Sequence, residues 1–540
     1  MIFSKPPFPR QLLAVLLVGS QAAAVVFLLL SVAGFALPGK GLTQLISFGS
    51  QFAGRAMPQI RNTPHFILEN SAGYDGQFYA QVAMDPLLRD RNLPHAVDNF
   101  SYRTRRMLMP ALAHVAGLGR PFWILQAFSL INVVAWLGLA LLVLRWFRPG
   151  DPEGWIRWFG VLFGAGLLYS IRNALPDGPA LLLIALGLAL AERSRMTGGA
   201  VALALATLTR ETSVLAAAVL PPETDWRKWR VSHLLLLGLI IVLPIGCWLL
   251  YVSTRGMILD TDRSLGARNF AWPFFGLFGA WRDTFLWDDW TSRVWVNRVA
   301  MMLSVTVQMG FFLFRWRIGE RAWRLGLATC LLGMVLGPAV WAGYPMATIR
   351  VLLPLSLAFN LAVPRGRRWL PLLLIGNISV VAATSALAAP HLSRMAVVTG
   401  VEADAMLDSH ADWSMNFGPE WFPLESKGRR QWRWSPGEAT VLVENKLDRT
   451  ERGVLSLALR ARESCDLTVA VGGETLWSGH LARETQIIDL PVELPPGRSV
   501  ITFESPTAPV AASWQDERMI LYRIEQIELN LLGPAEPTTE

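Results

Sequence analysis

The chain has 540 residues, 52% of them hydrophobic and only 17% charged, with a mean hydropathy of +0.36. Soluble domains carry about 25% charged residues, so the composition argues against an ordinary soluble enzyme and excludes collagen-like, disulfide-scaffold and disordered classes. Residues 1–400 hold 36 Lys and Arg against 18 Asp and Glu, whereas residues 401–540 hold 13 against 23. The basic excess lies between apolar blocks, where Lys and Arg mark the cytoplasmic side of a membrane. It is not a nucleic-acid surface, and the acidic tail is a separate body.

Apolar runs near 20 residues fall at about 12–36, 122–144, 156–171, 178–192, 199–220, 232–252, 296–314, 325–342, 348–363 and 369–390, the length a helical span needs. The first is too long for the apolar core of a signal peptide. Lys5 and Arg10 precede it, which puts the N-terminus inside. The basic clusters after 144, 192 and 220, before 325 and before 369 all reach one side only if 199–220 does not cross. That run carries Thr209-Arg210-Glu211-Thr212 in its middle. Ionisable groups at membrane depth are costly and line cavities, so two half-helices that enter and return are expected there, covered by protein or water.

The expected fold is therefore an α-helical polytopic membrane protein over 1–395. It has about nine spans, a re-entrant half-helix pair and a large first extracytoplasmic loop at 37–121. A C-terminal all-β sandwich follows over 396–540. Within it, 439–444, 454–460, 466–471, the stretch around Leu476, 486–494, 499–504 and 519–530 read as short strands with regular turn signals.

Four charged constellations carry candidate chemistry. The first is Tyr74-Asp75-Gly76-Gln77-Phe78-Tyr79 with Asp85-Pro86, in the first external loop. A carboxylate between aromatics suits a general base for a sugar hydroxyl, worth roughly 10²–10⁴-fold; Asp75 also suits the start of a short helix. The second is Tyr102-Arg103-Thr104-Arg105-Arg106. External arginines run against the orientation rule and fit phosphate bidentately, on a lipid-linked substrate or on headgroups of membrane lipid. The third is Arg172 with Asp177. Asp177 either orients an acceptor hydroxyl, pairs with an arginine or caps the next span. The fourth is Arg210-Glu211, read as a mutual ion pair or as Arg210 facing a phosphate, with Arg350 similar in kind. Trp413, Trp421, Trp432 and Trp434 suit either the core of the sandwich or stacking on sugars.

Cys247, Cys330 and Cys465 form no metal-binding pattern. Asp260, Asp262, Asp288 and Asp289 offer oxygen ligands without a specific spacing. No P-loop or dinucleotide fingerprint occurs.

The blocks around Asp75, Tyr102-Arg103-Thr104-Arg105-Arg106, Pro176-Asp177-Gly178-Pro179-Ala180, Leu208-Thr209-Arg210-Glu211-Thr212 and Arg350-Val351-Leu352-Leu353-Pro354 together resemble bacterial GT-C class polytopic glycosyltransferases. The resemblance implies an inner-membrane enzyme that moves a sugar from a polyprenyl-phosphate donor to a glycan, lipid or protein acceptor outside the cytoplasm. It implies Asp75 as the acidic catalytic residue and Asp177 as a second acidic position. Tyr74, Gln77, Tyr79, Asp85, Tyr102, Arg103, Arg105, Arg106, Arg172, Arg210, Glu211 and Arg350 would then surround the substrates. The family's acidic pair beside the aromatic motif is not evident here. No cofactor is expected, with a divalent cation such as Mg²⁺ left open. A lipid-linked-glycan transporter or flippase would instead spread charges across several spans and repeat internally. A non-catalytic glycan-binding scaffold would bind sugar through its tail alone.

Overall fold

The computed structural model describes residues 8–68, 71–223, 230–255, 269–286, 290, 292–342, 347–383, 386–387, 406–409, 413–422, 425–427, 430–445, 447–513 and 516–534. Two compact units emerge. One is built within 1–48, 55–66 and 74–390, the other within 49–54, 67–73 and 391–540. The expected boundary at 395–396 lies outside the described residues.

The first unit is helical. After α1 (Phe8–Ala33), the first loop carries α2 (Gly76–Met84), α3 (Phe100–Thr104) and α4 (Leu108–Ala116). Then come α5 (Pro121–Leu142), α6 (Pro152–Leu162), α7 (Ala165–Arg172), α8 (Asp177–Glu192) and α9 (Met196–Thr209). A 3₁₀ helix, Glu211–Val219, precedes α10 (Val231–Arg255) and α11 (Arg293–Phe314). Next follow α12 (Arg321–Val335), α13 (Ala347–Val351), α14 (Leu353–Ala362) and α15 (Leu370–Gly376).

Among the described residues, four segments are long and apolar enough to cross a membrane: Gln11–Ala33, Pro121–Arg145, Val231–Arg255 and Arg293–Phe314. The pair α6 and α7, bent by 40°, makes a fifth if it counts as one span. Helix α10 exposes Leu235, Leu236, Leu239, Leu243 and Leu250, an apolar surface that hydrocarbon covers. The chain is a membrane protein by these features. The other expected spans are shorter or interrupted. Helices α8 and α12 have 16 and 15 residues. Gly337-Pro338 and Pro354 interrupt two of the later runs, because proline has no N–H to continue a helix, and α15 of the last run ends at Gly376.

The 199–220 run behaves as a hairpin. Helix α9 ends at Arg210, whose backbone is extended (φ −151°, ψ 121°), and the 3₁₀ turn begins at Glu211. The two arms lie side by side: a Cβ placed on Gly199 would sit 3.4 Å from the Leu220 side chain. Arg324 anchors the return arm, donating from Nε to the Ala218 carbonyl at 2.8 Å, from Nη1 to that of Ile318 at 2.8 Å, and from Nη2 to that of Pro221.

The second unit is a β-sandwich. Its strands are β1 (Met406–Ser409), β2 (Trp413–Phe417), β3 (Glu425–Lys427), β4 (Arg430–Ser435), β5 (Ala439–Asn445), β6 (Glu451–Ala461), β7 (Cys465–Val471), β8 (Glu474–Leu481), β9 (Gln486–Leu494), β10 (Gly497–Glu504), β11 (Val510–Ser513), β12 (Asp516–Ile520) and β13 (Tyr522–Pro534). One antiparallel sheet runs β8-β7-β10-β5-β2-β1, the other β9-β6-β13-β4-β3, and β11 pairs with β12. Period-two patterning turns Val441, Val443, Val469 and Phe503 of one sheet toward Leu455, Leu457, Leu490 and Ile524 of the other. Trp413 and Trp421 belong to that core. Trp434 is also buried, whereas Trp432 is half-exposed and stacks with Arg523, whose guanidinium lies 4.4 Å from its ring centre.

Candidate active site

The first loop positions Asp75 by a close backbone approach. Gly76 opens α2 where a Cβ would collide with the carbonyls of Ile46 and Asn173, so the chain needs glycine after the aspartate. Tyr74 N–H donates to the Ser47 carbonyl at 2.9 Å. Asp75 occupies the N-cap position of α2 but makes no side-chain cap bond. Its Oδ1 instead accepts from Arg103 Nη2 at 2.9 Å. The helix-capping reading of Asp75 therefore gives way to an ion pair.

Arg103 projects from α3. Asn99 caps this helix, its Oδ1 accepting from Tyr102 N–H at 2.8 Å. Arg103 also forks onto Asp98, from Nε to Oδ1 at 2.7 Å and from Nη2 to Oδ2 at 2.6 Å. Its guanidinium lies over Phe78 at 4.9 Å and Tyr102 at 5.3 Å. Arg106, one turn on, forks onto Glu211 at the hairpin break, with Nε–Oε2 at 3.0 Å and Nη2–Oε1 at 2.9 Å. It also donates to the hydroxyls of Tyr102, at 3.0 Å, and Tyr79. Tyr79 is fully buried and stands between the two arginines, with Arg103 Nη1 3.4 Å from its hydroxyl. Helix α10 steadies this loop: Trp248 Nε1 donates to the Thr104 carbonyl at 2.8 Å.

Arg210 and Glu211 do not pair with each other. While Glu211 takes Arg106, Arg210 turns to Asp177 at the start of α8. Arg350, at the end of α13, also meets Asp177, Nη1 to Oδ2 at 3.3 Å, and donates from Nη2 to the Tyr74 hydroxyl at 2.8 Å. Asp177 caps nothing, since the helix's N-cap position is Pro176. Asp177, Arg210 and Arg350 are 2%, 9% and 6% exposed. They line a cavity whose apolar wall includes Leu181, Ile184, Leu325 and Leu353. Thr212, Ser213 and Thr329 add hydroxyls to its lining.

The loop residues have displaced ionisation. Burial pushes the Asp75 carboxyl up, but Arg103, Arg350 and Arg106 outweigh it and hold it below the usual carboxylate range. Burial pushes the Tyr79 phenol up. The Arg106 guanidinium pulls Tyr102 down.

The remaining expected residues lie apart. Arg105 is exposed and points away from its neighbours on α3 and the turn after it. Asp85 closes a turn behind α2, its Oδ2 accepting from Asp90 N–H at 2.6 Å. Arg172 does not pair with Asp177. Its Nη1 donates to the Gln44 carbonyl and Ser47 Oγ, each at 3.1 Å, and its guanidinium stacks on Phe35 at 4.8 Å. Gln77 is buried within α2. Asp98 is the residue that sequence reasoning missed; Asp98-Asn99 before a short helix reads as a capping pair only. Among the described residues no group of three His, Cys, Asp or Glu side chains is placed to hold a metal ion. Asp260, Asp262, Asp288 and Asp289 lie outside the described residues.

No protein-family model and no curated protein matches the chain. Among solved structures, a Podospora anserina GH26-CBM35 β-(1,4)-mannanase aligns over 24% of this chain at 14% identity, with a TM-score of 0.16. The arabinosyltransferase EmbB from Mycobacterium smegmatis aligns over 99% of this chain at 10% identity, with a TM-score of 0.33. The chain spans 29% and 65% of the length of those two structures. Both likenesses are remote, and neither bears on the chemistry.

Proposed function

We propose that the protein is an inner-membrane glycosyltransferase that moves a sugar from a polyprenyl phosphate to a hydroxyl of a glycan, lipid or protein outside the cytoplasm. One observation carries the reading. Asp75 sits in a chain of buried arginines and tyrosines that runs through Arg103, Tyr79, Arg106 and Glu211, and Arg210 beside Glu211 lines a largely apolar cavity. In the nine-span topology expected from the basic loops, this chain lies at the outer leaflet, with the N-terminus inside and the sandwich outside.

The chemistry follows from charge. Two guanidiniums, Arg210 and Arg350, meet the single carboxylate of Asp177 in the cavity wall. An anionic headgroup takes the donors that Asp177 leaves, and the apolar wall suits the first units of a hydrocarbon tail. Asp75 takes the proton of the acceptor hydroxyl through Oδ2. The acceptor oxygen attacks the anomeric carbon as the bond to phosphate breaks, and the bonding electrons leave on the phosphate. The arginines stabilise that developing charge, commonly the largest single term in catalysis. Inversion at the anomeric carbon follows from one displacement.

The test is transfer of radiolabelled sugar from a panel of polyprenyl-phosphate sugars in membranes that contain the protein. Asp75→Asn should cut transfer by roughly 10²–10⁴-fold at unchanged expression. Near-wild-type transfer by that variant rejects the role.

A further inference from the structure

Asp75 meets its cation through one oxygen only. Arg103 gives Asp98 two hydrogen bonds, at 2.6 and 2.7 Å, and Asp75 one, at 2.9 Å. Both carboxylates take their bond from the same nitrogen, Nη2. A guanidinium left with a single carboxylate forks onto it bidentately, and a base held in that way loses lone pairs and basicity. Here the fork is occupied by Asp98. Asp75 Oδ2 has no hydrogen-bond donor among the described residues, and the Asp75 side chain is 36% exposed, so this oxygen is open to an incoming hydroxyl.

We propose that Asp98 is a positioning residue that engages the Arg103 fork and so keeps Asp75 a usable base with Oδ2 free. The charged and titratable groups that act on Asp75 are Arg103, Arg106 and Arg350, with Tyr79 and Asp98 beside them. Asp98 therefore sets how much of the Arg103 charge falls on Asp75. Its functional meaning rests on the glycosyltransferase reading, but its geometry does not.

The test reads the protonated fraction of Asp75 without any substrate. A diazoacetamide esterifies protonated carboxyls, and mass spectrometry of the peptide that carries Asp75 gives the rate in the purified full chain near pH 5.5. Asp98→Asn hands the whole Arg103 charge to Asp75, which lowers the carboxyl's midpoint and slows esterification about tenfold. Arg103→Gln removes the cation and speeds it. Asp98→Glu keeps the charge and stays within about twofold of wild type. An unchanged or faster rate in Asp98→Asn overturns the proposal. If that variant does not fold, an Asp98→Glu rate that departs tenfold from wild type, or an Arg103→Gln rate that does not rise, overturns it instead. An Asp98 effect without an Asp75→Asn transfer phenotype rejects the enzyme reading alone. The converse rejects the positioning role alone.

Discussion

Asp177, Arg210 and Arg350 in the helical unit are each less than a tenth exposed. In the sandwich, the pairs Arg452–Glu493 and Arg498–Glu444 have side chains 46% and 63%, and 80% and 42%, exposed. The sandwich pairs lie on the outer faces of sheets whose shared core is aliphatic and aromatic, and surface pairs of this kind contribute about 0–1 kcal/mol. In the helical unit the charges sit among apolar side chains, where desolvation costs several kcal/mol per ion unless partners return it. A fold gains little stability from such a cluster, and the ligand-binding use proposed above gives it a role. The contrast separates charge that decorates a surface from charge that builds a site.

The largest effect that sharpens this contrast comes from Asp177→Asn. It leaves two guanidiniums facing each other in the cavity wall without a carboxylate, and breaking a buried pair in this way costs about 3–5 kcal/mol. A thermal-shift measurement in detergent should show strong destabilisation, partly recovered by an anionic polyprenyl phosphate. Glu211→Gln comes next. It unpairs buried Arg106 and uncouples the hairpin from the first loop, and transfer should fall about tenfold or more. Arg106→Lys should fall by a similar factor, because an ammonium cannot fork onto Glu211 while reaching both tyrosines.

The pH profile offers a smaller effect with a definite sign. A carboxyl whose folded pKa is depressed stays ionised as pH falls toward that value, so the base form of Asp75 is kept in acid. Transfer at limiting substrate should therefore still hold its rate at about pH 4, where an ordinary aspartate is half protonated, and fall only further into acid. An acid limb near pH 6 would contradict the arginine-held carboxylate. The smallest effects belong to Arg105→Gln and Asp85→Asn on transfer, and to Arg452→Gln on the sandwich, for which calorimetry should give a change within about 1 kcal/mol.

Much of the site was legible because membrane composition makes charge conspicuous. Arg103, Arg106, Arg210, Glu211 and Arg350 stood out as ions in or beside apolar blocks, and the fold joins them to Asp75, Asp177, Tyr74, Tyr79 and Tyr102. What sequence could not supply was phase and partner choice. On α3 and the turn after it, residues 103 and 106 face the site while 105 faces out, a distinction that needs the helix start fixed by Asn99. Adjacent Arg210 and Glu211 read as a pair, yet the extended backbone at Arg210 sends the two side chains to different partners. Asp98 carried no motif, since its partner lies five residues on, across the start of a short helix. Hydropathy windows located the apolar runs, and the charges of Arg210-Glu211 marked the break in the 199–220 run, but the breaks at Gly164 and Gly337 went unmarked. In the sandwich, strands 439–444, 454–460, 466–471, 486–494 and 499–504 followed from their length, composition and turn signals, some with period-two alternation. The strands Met406–Ser409, Trp413–Phe417 and Arg430–Ser435 did not, because aromatic and charged residues mask that period.

The central claim is that the buried arginines form a site for a lipid-linked phosphate. Native mass spectrometry of the full chain with a short polyprenyl phosphate tests it most directly. One lipid should stay bound to the wild-type protein, and the Arg210→Gln, Arg350→Gln double variant should lose at least tenfold in affinity while Arg105→Gln binds as wild type. Equal retention by all three proteins would contradict the account.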